Sequence, residues 1–68
     1  MRSVSGKVLA KALERHGWLL LLVQGSHHIY DKCGGNARMS VPVDADKPLK
    51  IELLKHLMKL GGVSEYDL

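Results

Sequence analysis

Trp18-Leu19-Leu20-Leu21-Leu22-Val23-Gln24-Gly25-Ser26-His27-His28-Ile29-Tyr30-Asp31-Lys32 is the stretch whose reading decides the fold. Its apolar run from Trp18 to Val23 is bracketed by Gly17 and Gly25 and is too short for a helix of ordinary length, so it reads as a strand. A tight turn at Gln24-Gly25-Ser26 then sends the chain back as a second strand, His27 to Lys32. Beyond it, Asp31-Lys32-Cys33-Gly34-Gly35-Asn36 has the residues of a hairpin loop, and alternating Met39, Val41 and Val43 make residues 37–43 a third strand. Pro42 has no N–H to give a neighbour, which puts that strand at an edge of the sheet or ends it there.

Helices flank the three strands. Ser5 is an N-cap ahead of Val8, Leu9, Ala12 and Leu13, which share one helical face with Lys7, Lys11, Glu14 and Arg15 outside it, and Gly17 closes the element. After the strands, Asp46 is the expected N-cap of a second helix with Pro48 in its first turn. Leu49, Leu53, Leu57 and Leu60, with Leu54 beside them, form its expected buried stripe, and Gly61-Gly62 stops it. Residues 63–68 read as a loosely held tail. The order α-β-β-β-α predicts an α+β fold: a three-stranded antiparallel sheet with two helices on one face. Regular alternation along the first strand sets Trp18, Leu20 and Leu22 against Leu19, Leu21 and Val23. One set is expected in the core, and the other needs a cover, either a partner protein or a second copy in a homodimer.

The chain has 68 residues, so residues 1–68 make a single domain with room for one core. Ten Lys and Arg against seven Asp and Glu give a net charge of +3, which favours a polyanionic partner. A lone cysteine, Cys33, allows no internal disulfide and fits a reducing cytoplasm. No apolar run approaches the roughly 20 residues that span a bilayer, so no membrane role is expected. Adjacent strand histidines diverge and no ligand spacing recurs, so neither a metal site nor a cofactor is expected.

Ser5-Gly6-Lys7, Gly17-Trp18, Gly25-Ser26-His27-His28-Ile29-Tyr30, Val41-Pro42-Val43 and Lys47-Pro48-Leu49-Lys50 stand in an order and spacing that resembles the HicA family, also called YcfA-like. The resemblance runs over residues 4–68. It implies a double-stranded-RNA-binding-like fold and a type II toxin–antitoxin toxin, an mRNA interferase that cleaves mRNA and is neutralised by a HicB-type antitoxin. The family's Gly-Ser-His falls on Gly25, Ser26 and His27, which makes His27 the implied catalytic residue, with neighbouring His28 the alternative. Strand alternation puts the two imidazoles on opposite faces, so one of them faces substrate.

Histidine suits the reaction because its unperturbed pKa lies near neutrality, which lets it act as base or acid in RNA cleavage without a metal. Lys32, Arg38, Lys47 and Lys50 are the candidate phosphate contacts, together with the backbone N–H groups around Gly25 and Ser26. Tyr30 is the one aromatic candidate for stacking on a base. A noncatalytic RNA-binding or protein-interaction module of the same fold is the alternative reading.

Overall fold

The computed structural model describes residues 2–32 and 37–68. In chain order they form α1 (Gly6–Arg15), β1 (Trp18–Gln24), β2 (His27–Lys32), β3 (Arg38–Pro42) and α2 (Ile51–Gly61), then a short 3-10 turn over Glu65–Asp67. The α-β-β-β-α order and α+β class follow the sequence reading. The expected loop at Cys33, Gly34, Gly35 and Asn36 lies outside the described residues. The sheet is antiparallel in the order β1-β2-β3, so Pro42 does sit in an edge strand.

Ser5 caps α1 as expected, its Oγ accepting from the Val8 N–H at 3.3 Å. The helix buries Leu9, Ala10, Ala12 and Leu13, and these meet Trp18, Tyr30, Met39 and Val41 of the sheet and Leu54, Leu57 and Met58 of α2 in one cluster. Trp18 is the pivot of this core. Its indole Nε1 donates to the Gly61 carbonyl at 3.1 Å, which satisfies a buried polar group and ties β1 to the end of α2.

Three expectations are corrected. First, β1 does not alternate simply: Leu20 pairs with Tyr30 but Leu22 pairs with Ile29, so Leu21 is the extra residue of a β-bulge. Cross-strand partners share a face, so Val23, opposite His28, joins Trp18 and Leu20, whereas Leu22 joins Leu19 on the open face. Neither set forms the core. Within β1 only Trp18 is buried.

Second, α2 starts at Ile51 with Lys50 as its N-cap, not at Asp46. Pro48 bridges to Ser5, and the Leu49 N–H donates to the Val4 carbonyl at 2.9 Å. Pairing with the N-terminal segment therefore holds residues 48–50 extended. The buried stripe is also turned from the expected one: Leu54, Leu57 and Met58 are buried while Leu53 and Leu60 are exposed. Leu49 is buried ahead of the helix.

Third, the tail is fastened. Val63 is in the core, His16 Nε2 lies 3.0 Å from Asp67 Oδ1, and Arg15 donates to the Asp67 carbonyl. A capping box joins Ser64 and Asp67: the Ser64 N–H donates to Asp67 Oδ2 at 2.8 Å and the Ser64 side chain accepts from the Asp67 N–H, while the Ser64 hydroxyl lies 3.1 Å from the same Oδ2. The His16 ring, then the Ser64 N–H, hold the Asp67 carboxyl down at about 2.

Candidate nucleic-acid interface

The β1–β2 turn sits at an end of the molecule where four segments gather. Gly25 takes a left-handed φ of 58°, which lets the chain reverse within two residues. The Ser26 carbonyl accepts from the Val43 N–H at 2.6 Å, anchoring the turn to the end of β3. Gly6 backs onto the same place so closely that a Cβ built on it would stand 1.8 Å from the Pro42 carbonyl oxygen. The Ser5–Pro48 bridge then brings in the approach to α2. Both helices consequently begin at the end that carries the turn, and helix N-termini hold partial positive charge.

His27 and His28 are the first residues of β2. His27 pairs with Gln24 on one side and Pro42 on the other, on the open face shared with Leu22, Ile29 and Ser40, and it is exposed. His28 pairs with Val23 and Val41 on the helix-bearing face and is half-buried. The expected divergence of the two rings is what the register gives.

The candidate cations divide into two groups. Lys47 and Lys50, on the loop before α2, share the end of the molecule with Gly25, Ser26 and His27. Lys47 Nζ lies 3.9 Å from Asp44 Oδ2, a loose pair of exposed groups. Lys32 and Arg38 are at the opposite end of the sheet, where Lys32 pairs with Trp18 and Arg38 with Asp31. The Lys32 ammonium stands 5.7 Å from the centroid of the Trp18 ring, on the helix-bearing face. Five residues of extended strand, about 17 Å, separate Lys32 from His27. These two cations and the histidine therefore do not form one site.

Tyr30 is also removed from the candidates. It is buried, shares the helix-bearing face with His28, and donates its hydroxyl to Glu14 Oε2 at 2.7 Å. Burial, then the Glu14 carboxylate beside it, push its hydroxyl well above the ordinary value. Lys7 is the residue that sequence reasoning left out. It is exposed in the first turn of α1, next to the glycine that packs on Pro42. Its neighbour Gly6 makes the close approach to Pro42, a contact that the sequence of Ser5-Gly6-Lys7 does not by itself reveal.

Among the described residues no three His, Cys, Asp or Glu side chains gather in a way that could hold a metal ion. No described helix is long and apolar enough to cross a membrane. No curated protein matches the chain. The family model described as HicA toxin of bacterial toxin-antitoxin matches residues 6–63 of the 68, which takes in both helices, all three strands and the histidine pair. With this order of elements and a match over that span, the chain belongs to the HicA toxin family of toxin–antitoxin systems, a membership that implies an antitoxin partner.

Proposed function

We propose that the protein is an endoribonuclease toxin, an mRNA interferase of the cytoplasm, with His27 as its general base. The observation that carries the reading is the position of His27: exposed on the open sheet face, at the end of the molecule where both helices begin. A neutral imidazole there takes the proton from a ribose 2′-hydroxyl, the 2′-oxygen attacks the adjacent phosphorus, and the bond to the 5′-oxygen breaks as that oxygen is protonated. The products are a 2′,3′-cyclic phosphate and a 5′-hydroxyl. One positioned base of this kind contributes about 10²- to 10⁴-fold, which makes a slow nuclease suited to scarce messages.

Lys7, Lys47 and Lys50 supply the positive charge for the backbone, with the N–H groups at Gly25 and the start of α1 as shorter-range donors. A HicB-type antitoxin neutralises the toxin by covering His27 and its apolar neighbours Leu22 and Ile29. The test is growth after induced expression of the wild type and of His27→Ala, with total mRNA examined in the same cultures. Arrest with mRNA loss that a folded His27→Ala abolishes is the expected result, and cleavage by purified protein persists in excess chelator. Arrest that survives His27→Ala but not His28→Ala moves the base to His28. No arrest from well-expressed wild type sinks the nuclease reading and leaves a noncatalytic RNA- or protein-binding module.

A further inference from the structure

We infer that Gln24 is a further catalytic residue, whose side-chain amide donates to a nonbridging oxygen of the phosphate under attack and stabilises the charge that gathers there in the transition state; this rests on the nuclease reading above. Gln24 and His27 flank the two-residue turn at Gly25-Ser26 and are direct cross-strand partners. Partners so placed share a face with Cβ atoms about 4.5–5.5 Å apart, so the two side chains rise side by side from the open face. Both are exposed. None of the side-chain hydrogen bonds among the described residues engages the Gln24 amide, which leaves it free for a ligand held at His27.

The rest of that face shows why a neutral donor is needed. Attack by the 2′-oxygen turns a singly charged phosphodiester into a phosphorane that carries a second negative charge. Around His27 the open face presents Leu22, Ile29 and Pro42, none of which can donate from its side chain. The cation of that face is Arg38, opposite Asp31, and four residues of strand, about 13 Å, separate it from Pro42. Lys7 belongs to α1 on the other face, and Lys47 and Lys50 to the loop before α2, places suited to neighbouring phosphates and not to the reacting one. Ser40 also has a hydroxyl on the open face, but it sits across from Ile29, diagonal to His27 at about 7–8 Å, on a much shorter stem. A lysine at position 24 would disfavour the imidazolium that forms when His27 takes the proton, and a carboxylate would repel the phosphate. An amide does neither. Gln24 gives only hydrogen bonds: the 2′ proton passes to His27, the bond from phosphorus to the 5′-oxygen breaks, that oxygen takes a proton from water, and the amide keeps both of its own.

The test is single-turnover cleavage of a short unstructured RNA over a range of protein concentrations, which separates the saturating rate from half-saturation. Gln24→Met removes the donor at nearly constant volume and is expected to lower the saturating rate at least about tenfold, less than the loss of about 10²- to 10³-fold for an enclosed oxyanion donor because this face is open to water. Half-saturation is expected to stay within about twofold of the wild type. Gln24→Asn, shorter but still a donor, recovers part of the rate. The pH at which the rate rises stays in place for Gln24→Met and moves up for Gln24→Glu, and an NMR titration of the His27 ring follows the same displacement in the absence of RNA. Gln24→Ala serves as the second variant should Gln24→Met fail to fold. An unchanged saturating rate, a loss confined to half-saturation, or a His27 titration that Gln24→Glu does not displace overturns the role of Gln24 and leaves that of His27 standing. A folded wild type that cleaves no RNA overturns the nuclease reading and the role of Gln24 with it.

Discussion

Tyr30 shows how far a single residue type misleads without its face. As one of only three aromatic residues, and beside two histidines, it invites a role in base stacking. The parity of a strand decides otherwise: three positions from His27, it must point to the opposite face, and there it fills the core and donates to Glu14. That signal was legible in the numbering alone. Tyr30→Phe is therefore expected to leave RNA cleavage unchanged and to lower stability by about 1–2 kcal/mol, read as a shift of the urea midpoint. The raised hydroxyl pKa also sets the sign in alkali. A group protonated more tightly in the folded state contributes fully below its unfolded value near 10, and that contribution is lost as pH rises beyond it. Wild-type stability should fall above about pH 10, whereas Tyr30→Phe, lacking the group, falls less.

The elements themselves were readable because their signals are local: an Oγ cap at Ser5, glycine brackets around Trp18–Gln24, a tight turn at Gly25. What escaped were features imposed from a distance. The bulge at Leu21 exists to reconcile β1 with β2 and has no mark in a run of four leucines. The true start of α2 is set by pairing of Pro48 and Leu49 with the N-terminal segment, which overrides Asp46 and Pro48 as start signals. Gly6 carries the corresponding close approach. Gly6→Ala drives a Cβ into the Pro42 carbonyl, and since backbone must move, a loss of about 2–3 kcal/mol in thermal or urea unfolding is expected. The tail is likewise held from afar, by His16 and Arg15. With its pKa depressed to about 2, Asp67 contributes above the ordinary carboxylate value near 4 and ceases to as pH falls toward 2. Amide exchange of residues 63–68 is therefore expected to quicken over that acid range, and Asp67→Asn to show the fast rate at every pH.

At the scale of the whole molecule, the surplus of positive charge matters less than where the fold puts it. The motif residues Gly25, Ser26 and His27 could be picked out in the sequence, but the cations that accompany them could not, since only the folded chain sorts Lys7, Lys47 and Lys50 to their end and Lys32 and Arg38 to the other. Of the three lysines at the histidine end, Lys47 is partly engaged by Asp44, so Lys7 and Lys50 should grip RNA harder. On the proposed function, three phosphate contacts on a single strand would release few counterions, and the logarithm of affinity should fall with the logarithm of salt at a slope of about −2. Each of Lys7→Ala and Lys50→Ala is expected to flatten that slope by about 0.7, Lys47→Ala by less, and Arg38→Ala and Lys32→Ala not at all. Asp44→Asn, which releases Lys47 and removes a carboxylate from the same loop, should steepen it. A filter-binding series in potassium chloride with a short unstructured RNA measures the slopes of the wild type and the six variants, and an effect of Arg38→Ala equal to that of Lys7→Ala would show that RNA runs along the open sheet face instead of across the end of the molecule.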